Sequence, residues 1–335
     1  MACEIFDASS TPSSQEIRSV NAELDPGTVR HECPLCGLHS TSVVYPESRD
    51  YITGKRFQVL DCSKCLVAWT SPVPTDLDAH YPKYYRRYNP LVIATLRFFY
   101  KRRIARWCRR VKRAGSALEL GCGAGFMLDA LRGYGWKVAG TERTEDMARF
   151  AQEQLGITVY VESQSGIPVG EKFDLVVMFQ VLEHLEEPLA QLSRAADLLS
   201  DGGSVVVGVP NFASWQSKYG KSNWLHLDVP RHLVHFGPAS IDVAAKKAGL
   251  RVQAVDYVSL EHDPYGWVQT VLNNVFGNGN RLTSLLMRST PWRFSDVGMA
   301  AVALVLTPPA ILLALVSWRF YRGAMMEVVL VKDRG

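Results

Sequence analysis

The chain has 335 residues, of which 47% are apolar and 21% are charged, and its formal net charge is +4. These values are ordinary for a globular protein, allow two domains, and exclude a chain too small to bury a core. The seven cysteines include two Cys-x-x-Cys pairs. That spacing favours metal binding over disulfides in a chain for which we expect no signal peptide.

The N-terminal stretch is rich in Ser and Glu and contains no apolar run. We therefore expect residues 1–28 to form a disordered tail rather than a targeting signal. The first cysteine pair follows the tail, so the first folded module is predicted to start at residue 29.

The two cysteine pairs stand 25 residues apart and flank two predicted short strands, at 42–45 and 57–60. Two knuckles on two hairpins bring four thiolates together, which is the ligand set of a tetrahedral Zn²⁺ site. Such a closed site leaves no open coordination position, so we expect a structural role. The predicted zinc ribbon occupies residues 29–75 with the ligands Cys33, Cys36, Cys62 and Cys65; the alternative is four unliganded thiols.

A strongly basic segment follows the predicted ribbon. Between Ala79 and Leu118 there are twelve Lys or Arg and no Asp or Glu, and Leu91–Val111 has the pattern of a helix. Such a block indicates an anionic partner: membrane headgroups, nucleic acid or an acidic substrate. Two interpretations compete, a helix before the first strand of a sheet with a solvated basic face, and an amphipathic helix on anionic lipid. Nucleic acid ranks third, because nothing nearby resembles an RNA-binding module.

A glycine-rich turn connects a predicted strand ending at Leu120 to a predicted helix from Phe126. Glycines let the backbone turn tightly, and the free amides at a helix start face a ligand. A second strand ends at Glu142, where an acid can take both hydroxyls of a ribose. Glu119 precedes the first glycine, where it would repel phosphates but pair with the ammonium group of S-adenosylmethionine. The predicted donor site consists of Glu119, Gly121, Cys122, Gly123, Gly125, Glu142 and Gln180.

Strands and helices then alternate, which predicts a parallel sheet covered on both faces, with ligands at the carboxyl ends of its strands. The segment Glu119–Gly125 resembles motif I of class I S-adenosylmethionine-dependent methyltransferases. Phe173–Leu185 resembles their fourth strand and the loop after it, and Leu198–Gly203 the turn before their fifth strand. The resemblance implies a Rossmann-like seven-stranded α/β sheet and S-adenosylmethionine as methyl donor. The alternative is a nucleotide-binding fold without methyl transfer.

The two cysteine pairs resemble the zinc ribbon that precedes some bacterial methyltransferases, including sugar C-methyltransferases. In those proteins the second knuckle usually ends in Cys-Gly, whereas here Leu66 follows Cys65. We therefore expect a different turn geometry at Leu66.

Glu183-His184 resembles the acid-x-x-Glu-His loop with which ubiquinone-pathway O-methyltransferases hold a divalent metal near a phenol. In this chain the first acid position is Gln180, and a neutral amide is a poor ligand for a hard cation. We therefore expect structural loop residues here, with a catalytic metal as the alternative.

The run Trp224–Phe236 resembles a segment that follows the fifth strand in one branch of the family, above the methyl group. Histidine suits proton removal near neutral pH, so His232 is the candidate base. Arg231 can bind a carboxylate or phosphate in bidentate fashion, so it is the candidate residue for orienting the acceptor. An equally weighted alternative is a loop pinned by Asp228–Arg231 pairing and aromatic packing. His232 and His235 as metal ligands rank third, because no acid completes a set.

Ala324–Lys332 has the pattern of the seventh strand, which in this fold lies antiparallel beside the sixth. Residues 261–323 are then an insertion between neighbouring strands, and Val297–Trp318 is a run of 22 residues without a charge. About twenty apolar residues can cross a bilayer, but one crossing would separate two strands of one sheet. We therefore expect a re-entrant segment that is broken or kinked at Pro308-Pro309, with flanking arginines in the headgroups. The alternative is a buried helical hairpin.

These observations predict a methyltransferase core at residues 76–260, completed by 324–335. The expected acceptor is a small molecule, a glycan or a lipid-linked compound, an anionic membrane surface is the expected partner, and nucleic acid is not. The expected location is the cytoplasmic face of the inner membrane, or the cytoplasm if the insertion is buried. The alternatives are an RNA methyltransferase and a non-catalytic membrane-docked protein that keeps the fold.

Overall fold

The computed structural model describes residues 25, 27–40, 42–81, 90–111, 114–161, 166–277, 279–287 and 290–333. The predicted N-terminal tail lies almost wholly outside the described residues, so its disorder stays a prediction. The strands are β1 (Ser42–Arg49), β2 (Arg56–Asp61), β3 (Ala68–Ser71), β4 (Ser116–Leu120), β5 (Lys137–Glu142), β6 (Thr158–Val161), β7 (Phe173–Phe179), β8 (Leu199–Pro210), β9 (Val234–His235), β10 (Leu250–Asp256) and β11 (Met325–Lys332). The helices are α1 (Pro90–Trp107), α2 (Phe126–Arg132), α3 (Glu145–Leu155), α4 (Pro188–Asp197), α5 (Trp215–Gly220), α6 (Pro238–Lys247), α7 (Asp263–Phe276), α8 (Arg281–Leu286) and α9 (Ser295–Arg319).

Seven strands form one sheet in the order β10-β11-β8-β7-β4-β5-β6. The strands from β4 to β8 pair in parallel, and β11 pairs antiparallel with both β8 and β10. Apolar residues line both faces of β7 and β8 because α4 and α6 cover one side of the sheet and α1, α2 and α3 the other. The predicted seven-stranded α/β fold, with its antiparallel last strand, is confirmed.

The cysteine-bearing module shares a sheet with the core. Strands β1, β2 and β3 pair antiparallel, and the edge strand β3 pairs with β9, a two-residue strand from the core. Trp69 of β3 packs in the same apolar cluster as residues of α4 and α6. The module is therefore built onto the core and is not a separate unit on a linker.

The basic helix α1 directs part of its charge inward. The buried Arg103 donates to Glu327 of β11 at 2.6 Å and also to Glu261. Arg106 donates to Asp256 at 3.0 Å. These pairs attach α1 to the sheet and favour the interpretation of a helix that precedes the first strand. Lipid contact by the exposed residues of α1 stays a prediction.

The insertion forms α7, α8 and α9. The last of these continues as one helix through Pro308 and Pro309, so the predicted break there is wrong. The chain reverses direction between α7 and α9 instead, and α9 packs on α7. Trp318 donates its indole N–H to Asp263 at 2.6 Å, which joins the end of α9 to the start of α7. Both ends of the insertion therefore meet the sheet at one edge, where β10 ends and β11 begins.

Candidate functional site

The glycine-rich turn lies at the carboxyl end of β4, ahead of α2. Gly121, Gly123 and Gly125 have φ values of 72°, 52° and 77°, which glycine adopts without strain. A Cβ on Gly121 would lie 2.8 Å from Val181, whereas a Cβ on Gly123 would meet nothing within 4 Å. The Gly123 backbone therefore faces open space that a ligand can approach. Cys122 buries its thiol against β5, so only its backbone belongs to the turn.

Glu119 lies at this turn with a buried, unsatisfied oxygen. Its side chain is 4% exposed, and Oε2 has no hydrogen-bond partner among the described residues. Burial raises the pKa of Glu119 well above its usual value, and the neighbouring charge of Glu142 raises the pKa further. A buried carboxyl group without a partner is costly unless a cation or a hydrogen-bond donor reaches it. The residue therefore fits the ammonium group of S-adenosylmethionine.

Glu142 borders the same turn from the end of β5. Its Oε2 accepts the amide N–H of Gly123 at 2.8 Å, and its Oε1 accepts that of Thr144 at 2.8 Å. Gln180 follows β7 with a φ of 58°, and its backbone N–H donates to the Gly208 carbonyl at 2.8 Å. The predicted donor-site residues are thus collected at one edge of the sheet, where β4, β5 and β7 end. This edge is where ligands bind in parallel α/β sheets.

The four cysteines of the two knuckles come together as the sequence predicts. Their sulfur atoms lie within 4.8 Å of one another, and those of Cys36 and Cys62 are 3.8 Å apart. Four thiolates bound tetrahedrally to Zn²⁺ at about 2.3 Å each would stand about 3.8 Å apart. The cysteine cluster, Cys33, Cys36, Cys62 and Cys65, therefore fits zinc, and we propose zinc as its structural ion.

Leu66 closes the second knuckle in the same way as a glycine closes the first. Its φ of 56° is left-handed, like the 70° of Gly37. Each residue donates its amide N–H to the backbone carbonyl of the first cysteine of its knuckle, Leu66 to Cys62 at 2.7 Å and Gly37 to Cys33 at 2.9 Å. The prediction of a different turn geometry is therefore wrong. The knuckle imposes the left-handed conformation on a leucine at a cost of about 1 kcal/mol.

Arg231 is buried, and its guanidinium group is occupied by protein groups. It donates to Asp228 at 2.7 Å, to Asp50 at 2.8 Å and to the His80 carbonyl at 2.6 Å, and it lies 4.4 Å from the centre of the Tyr51 ring. Because Asp50 and Tyr51 follow β1 of the cysteine-bearing module, these contacts tie that module to the segment between α5 and β9. This geometry favours a loop pinned by Arg231 over a role of Arg231 in orienting the acceptor. The guanidinium group already donates to protein groups, and few of its N–H groups remain for an acceptor.

His232 lies beside Glu183 and His184, and together they form a set that we call the Glu183 cluster. One ligand atom from each residue lies within 4.8 Å of the other two, and the rings of His184 and His232 are 4.7 Å apart between centres. Nδ1 of His184 donates to the Arg231 carbonyl at 2.8 Å and Nδ1 of His232 to the His226 carbonyl at 2.9 Å. These bonds leave Nε2 of each ring as the lone-pair nitrogen.

Glu183 completes a possible ligand set for a divalent cation. Both of its carboxylate oxygens are buried without a hydrogen-bond partner in the described chain, and burial raises its pKa to about 8. Burial also lowers the pKa of His232 well below its usual value, and the nearby His184 lowers it further. One carboxylate with two imidazoles suits a transition metal, which as a Lewis acid would polarise an acceptor oxygen. The acid and the second histidine near His232 are thus Glu183 and His184, and His235, which the sequence paired with His232, is not part of the cluster.

We predict that the protein with its cysteine cluster loaded binds one Mn²⁺ ion at the Glu183 cluster. Glu183→Gln should weaken this binding by more than about tenfold, because the variant loses the anionic ligand. Titration calorimetry with Mn²⁺ measures the effect. The control is Glu186→Gln, an exposed acid three residues on. Equal affinity in the two variants would mean that Glu183 is a structural loop residue.

His235 has a structural role. It is buried in β9, its Nε2 and the Thr70 hydroxyl are 3.0 Å apart, and its ring stacks on that of Phe212 at 5.5 Å. Burial lowers its pKa to about 3, so it stays neutral at ordinary pH. Its partners belong to β3 and to the loop after β8, which places it at the junction of the two sheets.

Residues 94–255 match the family described as a methyltransferase domain. A ubiquinone biosynthesis O-methyltransferase from Cereibacter sphaeroides is 28% identical over 171 residues, which cover 45% of this chain and 65% of the relative. The protein of the same description from Dinoroseobacter shibae is 31% identical over 100 residues, 28% of this chain and 40% of the relative. Over residues 94–255, just under half of its length, the chain is similar to a methyltransferase domain. It spans less than two-thirds of the length of these relatives.

Two solved methyltransferase structures are also similar to this chain. A SAM-dependent methyltransferase from Archaeoglobus fulgidus is 19% identical and covers 71% of this chain and 94% of its own, with a TM-score of 0.44. Magnesium protoporphyrin IX methyltransferase from Synechocystis PCC 6803, with bound SAH, is 19% identical and covers 52% of this chain and 84% of its own, with a TM-score of 0.41.

The matched methyltransferase domain contains the donor site and the Glu183 cluster. It excludes the cysteine cluster and α9, which lie outside residues 94–255. Sequence reasoning did not join Glu183 to His232, because the two lie on different loops of the methyltransferase domain. One sequence signal could have indicated that Glu183 is buried: it follows the apolar residues Val181 and Leu182 shortly after a buried strand.

Proposed function

We propose that the protein transfers the methyl group of S-adenosylmethionine to a small-molecule acceptor at a membrane surface. The observation that carries the proposal is the unsatisfied oxygen of Glu119 beside the glycine turn, with Glu142 across the same turn. Glu119 would hold the ammonium group of the methyl donor and Glu142 its ribose. Such a site accelerates methyl transfer mainly by holding donor and acceptor in line.

The acceptor class follows from what surrounds the donor site. The relatives named above are ubiquinone biosynthesis O-methyltransferases, which supports a small hydroxyl-bearing acceptor. The apolar insertion at the same edge of the sheet supports an acceptor that is membrane-associated, either lipid-linked or a glycan on a lipid carrier. We accordingly propose that the protein works at the cytoplasmic face of the inner membrane.

The two alternative functions are separable by binding. An RNA methyltransferase would bind RNA through the basic side chains of α1, yet Arg103 and Arg106 of that helix form ion pairs with carboxylates of the core. Tight RNA binding with a steep salt dependence would revive this alternative. A non-catalytic protein that keeps the fold would release no S-adenosylhomocysteine, even if it binds the methyl donor.

The decisive experiment titrates the purified protein with S-adenosylmethionine and then adds lipid and polar extracts from cells that lack the protein. We expect saturable donor binding and release of S-adenosylhomocysteine with one extract, with a mass increase of one methyl group in the acceptor. Donor binding without release from any extract would support the non-catalytic alternative. Absence of donor binding would overturn the proposal.

We predict that Glu142→Ala weakens S-adenosylmethionine binding by about 1–3 kcal/mol, the loss expected for a charged hydrogen-bond acceptor. The variant also loses the bond to the Gly123 amide, which shapes the turn. Calorimetric titration measures the change. Glu153→Ala serves as the control, because Glu153 is an exposed acid on α3. Unchanged affinity in Glu142→Ala would remove Glu142 from the donor site.

A further inference from the structure

The helix α9 is apolar around nearly its whole circumference. It carries 25 residues, so at the usual rise it is about 37 Å long. Among the described residues it is the one helix that is long and apolar enough to cross a membrane by length and composition alone. Large side chains are exposed in its middle, with Leu304 at 75% and Val305 at 74%. A helix that is apolar all round is stable when a core or a bilayer covers it, and no core covers these residues.

One narrow stripe of α9 is buried against the protein. The stripe runs from Met299 near its start to Ala314 near its end, and it packs on Trp267 and Leu272 of α7 and on Leu285 of α8. Arg281 and Asp296 pair at 2.6 Å beside the start of α9, and Trp318 bonds to α7 at the other end. The helix is therefore fixed along the protein over its whole length and does not project from it.

This attachment is incompatible with a transmembrane orientation. Helix α7 packs on α5 and on the loop around Trp224 of the core, so α9 could cross a bilayer only together with them. Helix α7, on which α9 packs, also carries a hydrogen-bonded chain of buried amides, from Gln269 to Asn273 at 2.8 Å and from Asn273 to Asn280 at 2.7 Å. Moving this polar layer and the core loops into hydrocarbon is unfavourable. The exposed side of α9 can meet lipid only if the helix lies parallel to the surface.

Both ends of α9 carry the residues that occupy the boundary between lipid and water. Trp292 and Phe294 are exposed at one end, and Phe320 and Tyr321 at the other. Exposed arginines accompany both pairs: Arg293 at the first end, Arg319 and Arg322 at the second. Aromatic rings favour the headgroup level, and arginines attract anionic phosphates. The charge and the aromatic residues thus fit an anionic bilayer surface better than they fit a second, equally basic copy of this chain.

We infer that α9 is an interfacial helix that lies in the plane of an anionic bilayer with Leu304 and Val305 in the acyl region. The inference rests on the proposed function, because it explains how the donor site would meet a membrane-associated acceptor. After α9, the carbonyl of Gly323 accepts from the Asn211 side chain at 2.9 Å, directly after β8. The docked helix thus holds the carboxyl edge of the sheet, and with it the donor site, near the lipid surface. An acceptor anchored in the bilayer can then reach the methyl donor without leaving the membrane.

The test is flotation of the full chain with vesicles of phosphatidylcholine and phosphatidylglycerol. The double variant Leu304→Lys, Val305→Lys should lose about tenfold or more in vesicle binding, since two charges replace two buried apolar side chains. Binding of S-adenosylmethionine should stay unchanged, which shows that the variant is folded. The control is Val169→Lys, which charges an exposed valine before β7, at the opposite edge of the sheet. Vesicles without phosphatidylglycerol should bind the parent protein more weakly, because the arginines lose their partners.

Three outcomes would overturn the inference. Equal flotation of the double variant and the Val169 control would mean that α9 does not touch lipid. If the parent forms a concentration-dependent dimer in sedimentation, and the double variant loses that dimer while its vesicle binding stays intact, α9 packs on a second copy of the chain instead of on lipid. In a background with Cys3→Ser and Cys108→Ser, cysteines placed at Ser295 and Arg319 should both react with an impermeant maleimide outside sealed vesicles, and protection of one of them would mean a crossing. None of these results depends on methyl transfer, so failure of the proposed function would be recognised separately.

Discussion

Cys62→Ser is expected to remove zinc from the protein and to unfold the module built by β1, β2 and β3. A structural four-thiolate site contributes about 10–16 kcal/mol of apparent binding free energy in small zinc modules at neutral pH, and that energy is folding energy. Cys62 is buried, and the cluster has no other described His or Cys to replace it. Elemental analysis should find one zinc per parent chain and far less in the variant. Thermal unfolding should show an early transition that the parent lacks.

The control for this prediction is Cys108→Ser, which removes an exposed cysteine outside the cluster. The donor site lies on β4, β5 and β7, none of which pairs with the cysteine-bearing module, so donor affinity should fall less than the stability of that module. Parent protein that contains no zinc after purification without chelator would contradict the structural zinc site.

The central sheet was predictable because its signals are local. Each strand is a short apolar run, each helix has its own period, and the glycine turn needs positive φ at alternate positions. The place of Ala324–Lys332 followed from fold topology and is confirmed by the pairing of β11 with β10. The knuckle spacing likewise predicted the cysteine cluster, because the distance between the two pairs permits only a few geometries.

The parts that sequence missed depend on contacts between distant residues. Strand β9 has two residues and no pattern of its own; it is a strand because β3 lies beside it. Arg231 looked available for a ligand because its partner Asp50 lies 181 residues away. Side chains that meet from different loops produce no periodic pattern in the sequence. The long-range ion pair with Asp50 could therefore not be predicted, whereas the short-range pair with Asp228 could.

The failure at Pro308-Pro309 has a different physical reason. Proline removes one backbone hydrogen bond and clashes with the preceding turn, which in isolation favours a break. Here the stripe on α7 and α8 fixes α9 on both sides of the prolines, with Ala303 before them and Ala310 after them. Tertiary packing therefore overrides the tendency of the two prolines to break the helix. The chain reverses its direction between α7 and α9, in the region of α8.

Arg231→Met is expected to destabilise the protein by about 3–5 kcal/mol, the usual cost of removing one partner of a buried ion pair. Asp50 is completely buried, and among the described residues its ion-pair partner besides Arg231 is His80. Burial alone would raise the pKa of Asp50, but Arg231 holds that pKa below its usual value, and it does the same for Asp228. The pair is therefore fully charged at neutral pH.

The pH dependence of this variant follows from the direction of those shifts. A carboxyl group whose pKa is lowered by folding contributes stability above its unfolded pKa of about 4, and loses that contribution as the pH falls through the lower folded value. In Arg231→Met, burial without the guanidinium group raises the pKa of Asp50, so the variant should lose stability relative to the parent as the pH rises from about 5 to 8. Denaturant unfolding at several pH values measures it. Arg49→Met, at a half-exposed arginine of β1, is the matched control and should cost less than about 1 kcal/mol.

The same variant decides between the two interpretations of Arg231. If the residue pins the loop, stability falls in Arg231→Met, and Arg231→Lys restores little, because an ammonium group cannot reach Asp228, Asp50 and the His80 carbonyl together. Donor affinity should then change little, since the guanidinium group makes none of its bonds to the donor site. If Arg231 instead orients the acceptor, the variant should unfold like the parent and lose only methyl transfer. An unchanged unfolding midpoint in Arg231→Met would therefore return the residue to the acceptor site and remove it from the junction between the two sheets.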